Sequence, residues 1–135
     1  MGQIRIAQNA FAELTRFAAG HSGQECCGLL AGRRGIVTLV LQAHNAAENP
    51  EIAYEIAPSE LVKLMRGIRE AGLDFLGIYH SHPKGDNQPS ARDIERAYYP
   101  DAAYFILSAR AEARKAIRAF SIRDGHRMEL RIQIV

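Results

Sequence analysis

The sequence predicts a mixed α/β fold in which a central mixed β-sheet is flanked by helices. Two segments, residues 9–19 and 58–72, carry apolar residues at helical spacing, so each can bury one face. Short apolar or alternating segments lie around them, separated by turns that contain Gly or Pro. A chain of 135 residues can bury a real core, and we predict a single domain over residues 1–135.

The first half of the chain is predicted to combine four strands with two helices. Residues 3–7 alternate in polarity, and Arg33-Arg34-Gly35 can turn a hairpin between two apolar segments. Pro58 lies where a helix would begin, and Gly72 where it would end. The predicted elements are strand 3–7, helix 9–19, strands 26–31 and 36–43, strand 54–56 and helix 58–72.

The second half is predicted to alternate strands with one helix. An apolar strand reaches His82 and ends at Pro83, which cannot donate a hydrogen bond to a sheet. Ser90 lies at an expected helix N-cap, and Asp124-Gly125-His126 forms a strong hairpin turn. The predicted elements are strand 74–82, loop 84–89, helix 90–99, strand 103–108 and the hairpin strands 116–122 and 128–135.

A cluster of ligand-type residues lies between the predicted strand and helix. Alternation in this strand places Leu76, Ile78, His80 and His82 on one face, and the two histidines lie roughly 6.6 Å apart along the backbone. Asp93 follows in the first helical turn and can face the end of that strand. Two imidazoles and one carboxylate form a plausible three-ligand zinc site with one position open for water, as in catalytic zinc sites.

Each part of this pattern also has an ordinary interpretation. A His-x-His pair at a strand end is more often two solvated loop histidines, and Ser90 with Asp93 can be a plain helix start. A zinc hydrolase also needs a base, and Glu25, just before the apolar segment 26–32, is the best-placed carboxylate outside the ligand set. Taken alone, Glu25 would be a surface residue at the start of a strand.

The pieces together resemble the JAMM, or MPN-plus, metalloprotease family. Its pattern is a Glu ahead of a short strand, then His-Ser/Thr-His-Pro, six residues, Ser, two residues and Asp. Here Glu25, His80-Ser81-His82-Pro83, Ser90 and Asp93 occupy every one of these positions. The segments 45–54 and 98–102 and the closing hairpin resemble the small bacterial members, which resemble hydrolases that release an amino acid, typically cysteine, from a ubiquitin-like sulfur carrier.

The resemblance implies a fold, a chemistry and a partner. It implies a cytidine-deaminase-like α/β/α architecture and one Zn²⁺ per chain, bound by His80, His82 and Asp93. Glu25 would be the general base, and Ser90 would donate a hydrogen bond to the oxyanion. The expected activity is that of a zinc metallopeptidase or isopeptidase, acting at the C-terminal Gly-Gly end of a ubiquitin-like sulfur-carrier protein.

Three other functions agree less well with the sequence. A catalytically silent MPN-type scaffold would need a broken ligand set, and none of the three ligands is missing. A nucleoside deaminase would need a Pro-Cys-x-x-Cys pair, which the sequence lacks. Cys26 and Cys27 could supply a nucleophile, but on a buried strand we expect reduced thiols that serve packing.

Composition limits the partners and the location. Seventeen basic and 15 acidic residues give a net charge of +2, which is too balanced to indicate nucleic acid. The absence of an apolar run near twenty residues and of a secretion signal predicts a cytoplasmic protein without a membrane span. The loop 84–89 has no aromatic residue, which argues against a polyubiquitin protease.

Overall fold

The structure is a computed structural model that describes residues 2–20, 25–83, 85–109 and 116–135. Seven strands and three helices alternate along these residues. Both amphipathic segments are helices, as their apolar spacing predicts. The elements are β1 (Gln3–Ile6), α1 (Gln8–Ala18), β2 (Cys27–Arg33), β3 (Ile36–Ala43), α2 (Pro58–Glu70), β4 (Asp74–His82), α3 (Ala91–Glu95), β5 (Ala103–Ser108), β6 (Ile117–Arg123) and β7 (His126–Ile134).

The strands form one mixed sheet in the order β1-β3-β2-β4-β5-β6-β7, which closes because β1 pairs with both β3 and β7. The pairs of β1 with β3, β1 with β7 and β4 with β5 are parallel, whereas the other pairs are antiparallel. The predicted class, a mixed sheet with helices, is therefore confirmed. The closure was not predicted, since it depends on pairing between residues at opposite ends of the chain.

Two apolar clusters lie on opposite faces of the central strands. Leu14 of α1 packs in the first cluster with Tyr79 and Phe105, and the curled sheet adds Ile4 and Leu130 from its two closing strands. The second cluster lies beneath α2, and it contains Leu29, Ile68, Ile78, Tyr104 and Phe120. Burial of these side chains stabilises β2, β4 and β5, and it is β4 whose end carries the two histidines.

The predicted alternation of β4 is wrong in its first half. Gly77 pairs with Leu30 and Phe75 pairs with Ala31, so Leu76 is an extra residue in the strand. The shift places Phe75 in the cluster with Ile78, although the sequence pattern had placed Leu76 there. Beyond this bulge the alternation is regular, so Ile78, His80 and His82 share a face as predicted.

Two predicted elements differ in the structure. Residues 54–56 are not a strand in this described segment, because the Glu55 amide donates to Asn45 Oδ1 and its carbonyl accepts from the Ala46 amide. The helix predicted over residues 90–99 ends at Glu95. Pro100 disfavours helical backbone at the preceding residue, and the amide of Tyr99 donates to the Tyr104 hydroxyl instead.

The two hairpins have two-residue turns, at Arg34-Gly35 and Asp124-Gly125. All four residues have positive φ, between 51° and 78°, as type I′ turns require. His126, predicted to belong to the second turn, is the first residue of β7. None of the described helices is long and apolar enough to cross a membrane.

Two glycines offer a matched test of the sheet packing. A Cβ on Gly77 would lie 2.6 Å from the Ala103 carbonyl oxygen, whereas a Cβ on Gly67 in α2 would meet nothing within 4 Å. We expect Gly77→Ala to lower the free energy of unfolding by about 2 kcal/mol or more. Gly67→Ala should raise it by roughly 0.5–1 kcal/mol. Urea denaturation measures both, and equal effects would contradict the close approach of β4 and β5.

Candidate metal centre

The end of β4 brings two imidazoles together. His80 is 1% exposed, and its Nε2 lies 3.1 Å from Nε2 of His82, which is also largely buried. Tyr54 stacks on the His80 ring with centroids 4.3 Å apart and an interplanar angle of 19°. Burial and this stacking hold the two Nε2 atoms close together at the end of β4.

A capping box on α3 supplies the carboxylate. The Ser90 amide donates to Asp93 Oδ2 at 2.8 Å, and the Asp93 amide donates to Ser90 Oγ at 3.1 Å. The carboxylate held in this way faces β4, with Oδ1 3.2 Å from His80 Nε2 and Oδ2 3.1 Å from His82 Nε2. The helix start therefore serves two purposes, since it caps α3 and it aims Asp93 at both imidazoles.

The tautomer of His82 leaves a place for a proton or a metal ion between these groups. His82 Nδ1 lies 2.7 Å from the Asp86 carbonyl oxygen, which can only accept, so Nδ1 carries a hydrogen. The neutral ring then has a lone pair on Nε2, which faces Asp93 Oδ2 at 3.1 Å. Two acceptors at this distance repel each other unless a proton or a metal ion lies between them.

The spacing of the three groups also fits zinc. Ligand atoms about 2.0–2.1 Å from a tetrahedral zinc ion lie about 3.3 Å from one another. The three distances among His80 Nε2, His82 Nε2 and the Asp93 oxygens are 3.1–3.2 Å. Each imidazole nitrogen faces a different oxygen of Asp93, and all three separations are close to the tetrahedral value.

The charges of the three groups suit a cation. Burial raises the pKa of Asp93, but hydrogen bonds from His80 and His82 outweigh it and hold this pKa well below its usual range. Burial lowers the pKa of His80 and so favours its neutral, ligating form. For His82, burial is outweighed by the hydrogen bonds to Asp93 and Asp86, and the pKa is raised. Bound zinc would compete with the proton on His82.

Glu25 is a second carboxylate beside the imidazoles. The pairing of Cys27 with His80 sets Glu25, two residues earlier, next to His82. Ligand atoms of Glu25, His80 and His82 all lie within 4.8 Å of one another. The distances alone thus allow Glu25 as a ligand in addition to the predicted set.

The two carboxylates differ in their proton affinity. Burial raises the pKa of Glu25 to about 7, although the charges of His82 and Arg92 lower it in part. The pKa of Asp93 is shifted in the opposite direction. Carboxylates whose pKa values are driven apart typically take different roles, in which one stays ionised and the other exchanges a proton. This contrast favours Asp93 as the ligand and Glu25 as the proton carrier.

The backbone of Glu25 is held by a loop that the sequence did not single out. Its amide donates to the Pro50 carbonyl at 2.7 Å, and its carbonyl accepts from Asn45 Nδ2 at 2.9 Å. Asn45 also bonds Ala53 and the amide of Glu55. Loop 45–55 therefore sets the position of Glu25, a role that no local sequence pattern signals.

Ser81 ties the start of β2 to the histidine strand. Its Oγ accepts from the Cys26 amide at 2.8 Å, while its own amide donates to the Cys26 carbonyl at 3.0 Å. Both cysteines are free thiols, as predicted. Burial raises the pKa of Cys26 and raises that of Cys27 to about 12, so both thiols stay protonated and the alternative of a cysteine nucleophile is disfavoured.

This geometry can be compared with known proteins. A family profile described as prokaryotic homologs of the JAB domain, Prok-JAB, matches residues 7–123. The chain belongs to the Prok-JAB family. The family match covers β2, β4 and α3, the elements that carry the candidate site.

Related proteins are named as peptidases and proteases. A desampylase of Haloferax volcanii is 47% identical over 94 residues, which cover 67% of each chain. A probable TtuB-protein conjugate cleaving protease of Thermus thermophilus is 37% identical over 79% of this chain and 68% of its own length. A CysO-cysteine peptidase of Mycobacterium tuberculosis is 33% identical over 82% and 77%. The predicted family and the predicted class of enzyme, a hydrolase of peptide or isopeptide bonds, are confirmed.

Solved structures agree on the fold. The solution structure of DSY2949 from Desulfitobacterium hafniense has a TM-score of 0.84 at 30% identity and covers 98% of this chain and 93% of its own. AF2198, a JAB1/MPN domain protein from Archaeoglobus fulgidus, has a TM-score of 0.62 at 16% identity, covering 96% and 99%. A structure described as a JAMM metalloprotease-like zinc site scores 0.60 at 15% identity, covering 96% and 97%.

The raised pKa of Glu25 predicts a pH-dependent stability of the metal-free protein. Because the folded pKa of about 7 exceeds the ordinary 4.5, the folded state holds an extra proton between these values. Stability should fall as pH rises through this window, by up to about 3 kcal/mol relative to Glu25→Gln, whose side chain cannot ionise. Urea denaturation at pH 4.5, 6 and 7.5 measures the difference. Parallel pH profiles for the two proteins would contradict the raised pKa.

Proposed function

We propose that this protein is a zinc-dependent peptidase or isopeptidase that hydrolyses an amide bond at the C-terminus of a ubiquitin-like sulfur-carrier protein. The observation that carries the proposal is the convergence of His80, His82 and Asp93 at 3.1–3.2 Å beside a second, buried carboxylate, that of Glu25. The names of the relatives, which include TtuB-conjugate and CysO-cysteine cleavage, support the class of substrate.

In this proposal, His80, His82 and Asp93 hold one zinc ion and leave a fourth position open. Zinc bound there supplies an activated water and a positive charge that polarises the scissile carbonyl. Asp86 keeps the His82 tautomer that points a lone pair at this position, because its carbonyl accepts from Nδ1. Tyr54 holds the His80 ring against rotation.

Glu25 would act as the general base and then as the general acid. A carboxyl whose pKa lies near 7 can accept a proton from the attacking water and deliver it to the leaving amine. In the balance of the reaction, the amide C–N bond breaks, the water oxygen joins the carbonyl carbon, and the amine gains a hydrogen. The loop 45–55 contributes by fixing the backbone of Glu25 through Asn45 and Pro50.

Ser90 would stabilise the oxyanion. Its Oγ accepts from the Asp93 amide, which leaves the hydroxyl hydrogen available for a second acceptor. Ser90 is exposed. It is both the N-cap of α3 and a neighbour of the proposed ligand Asp93. An oxyanion donor of this kind contributes about 3 kcal/mol to lowering the barrier.

A Gly-Gly tail suits a site that lies between a strand end and a helix start, because glycine residues allow a close approach of the substrate backbone.

The alternative function is that of a catalytically silent scaffold. A complete set of ligand-type residues, whose ligand atoms lie 3.1–3.2 Å from one another, disfavours it. Two expectations stay predictions: a single domain over residues 1–135 and a cytoplasmic location. Lys84 of the loop 84–89 lies outside the described residues.

Two carboxamide variants separate the ligand from the base. The wild-type protein should bind about one zinc per chain, measured by elemental analysis and by competition with a chromophoric chelator. Asp93→Asn should weaken zinc binding by more than about 100-fold, since even outer-shell partners contribute 10- to 100-fold. Glu25→Gln should leave zinc affinity within a few-fold. The reverse pattern would exchange the roles of the two carboxylates.

Hydrolysis tests the roles of Glu25 and Ser90. With zinc bound, Glu25→Gln should lose nearly all cleavage of a carrier conjugate, because the carboxamide cannot carry the proton. Ser90→Ala should lower kcat by about 10²–10³. Ser90→Thr, which keeps both the hydroxyl and the helix cap, is the matched control and should retain most activity. Full activity of Glu25→Gln would show that another group is the base.

A further inference from the structure

A cavity of about 330 Å³ opens beside the metal centre on the side of Asp93. Its walls are largely aromatic and aliphatic, and they come from residues 54–56, α2, β4, α3 and the segment after α3. The lining includes Tyr54, Ile78, Arg92, Arg96 and Tyr99. Asp93 contributes to the wall of this cavity, which therefore adjoins the candidate metal centre.

The charged side chains of this cavity, Glu55, Arg92, Asp93 and Arg96, are unevenly paired. Arg96 pairs with Glu55 at 3.5 Å, and the oxygens of Asp93 are taken by the two histidines and the Ser90 amide. The exposed guanidinium of Arg92, in contrast, has no hydrogen-bond or ion-pair partner among the residues that the structure describes. An unpaired guanidinium beside a largely apolar wall is suited to a planar anion such as a carboxylate.

Arg92 is also close to the reacting groups. It precedes Asp93 in the first turn of α3 and lines the same cavity. Its positive charge acts on the Glu25 carboxyl and lowers the pKa of that group in part, which places the two side chains in the same electrostatic neighbourhood. Arg92 thus lines the cavity next to Asp93, and its charge also acts on Glu25.

Resting on the proposed function, we propose that Arg92 is a specificity-determining residue that binds the free α-carboxylate of the leaving amino acid. In an α-amino acid the carboxylate is separated from the reacting nitrogen by a single carbon, so one cavity can hold both the carboxylate and the side chain. A lysine side chain within a protein has no carboxylate at that position. The preferred substrate class is therefore a carrier extended by one terminal amino acid, with Tyr54, Ile78 and Tyr99 contacting an apolar side chain.

Paired substrates test this selectivity. The carrier CysO, extended by one leucine, is prepared with either a free carboxylate or a C-terminal carboxamide. Wild-type enzyme loaded with zinc should cleave the acid about tenfold or more faster in kcat/KM, as expected for a charge-assisted pair. Arg92→Gln should reduce the ratio of the two rates to about 1 while zinc content stays the same, and Arg92→Lys should keep part of the preference.

Arg16 provides the matched control, because it is an exposed arginine in a separate cavity on the His82 side of the centre. Arg16→Gln removes the same charge and should leave the ratio unchanged. Equal cleavage of acid and carboxamide by the wild type, or a proportional loss for both with Arg92→Gln, would overturn the inference. So would a loss of the preference in Arg16→Gln equal to that in Arg92→Gln.

A binding measurement distinguishes this inference from the proposed function. In the zinc-free protein, leucine should shift the NMR signal of the Arg92 Nε–H, whereas leucinamide should not. If neither conjugate is cleaved but leucine binds through Arg92, the cavity assignment stands and the proposed hydrolysis fails. If both conjugates are cleaved without preference and leucine leaves Arg92 unshifted, the hydrolysis stands and the cavity assignment fails.

Discussion

The hydrogen bond from the Ser90 amide to Asp93, within the start of α3, orients the carboxylate that joins this helix to β4. It fixes the carboxylate in the first helical turn, and from there both oxygens reach the two imidazoles. An Asp at this position also completes the helix cap, so the local stability of α3 and the geometry of the metal centre depend on the same atoms. A helix of five residues has little stability of its own, and its contacts with β4 keep it in place.

Much of this arrangement could be predicted from local patterns. Alternation in β4 places His80 and His82 on one face, and the capping pattern from Ser90 to Asp93 places a carboxylate at a helix start. The parts that could not be predicted depend on distant pairing. The bulge at Leu76 follows from the register between β2 and β4, and the closed sheet requires β1 to meet β7.

The site also contains groups that have no sequence signature. Tyr54 lies in a segment predicted as a strand, yet its ring stacks on His80 because Asn45 takes up the backbone hydrogen bonds of the neighbouring residues. Glu25 could be suspected from its place before β2, but its burial and raised pKa depend on residues far away in the chain. Such tertiary effects explain why ligand candidates were easier to find than the residues that orient them.

The loop between β3 and α2 connects Glu25, the proposed base, to the cavity beside Asp93. Asn45 and Pro50 hold the backbone of Glu25, while Tyr54 and Glu55 of the same loop line the cavity beside Asp93. A design that exchanged this loop to accept a different leaving group would also release the backbone anchor of Glu25. Engineering of the substrate range is therefore safer by single side-chain changes on the cavity wall, with the anchoring asparagine retained.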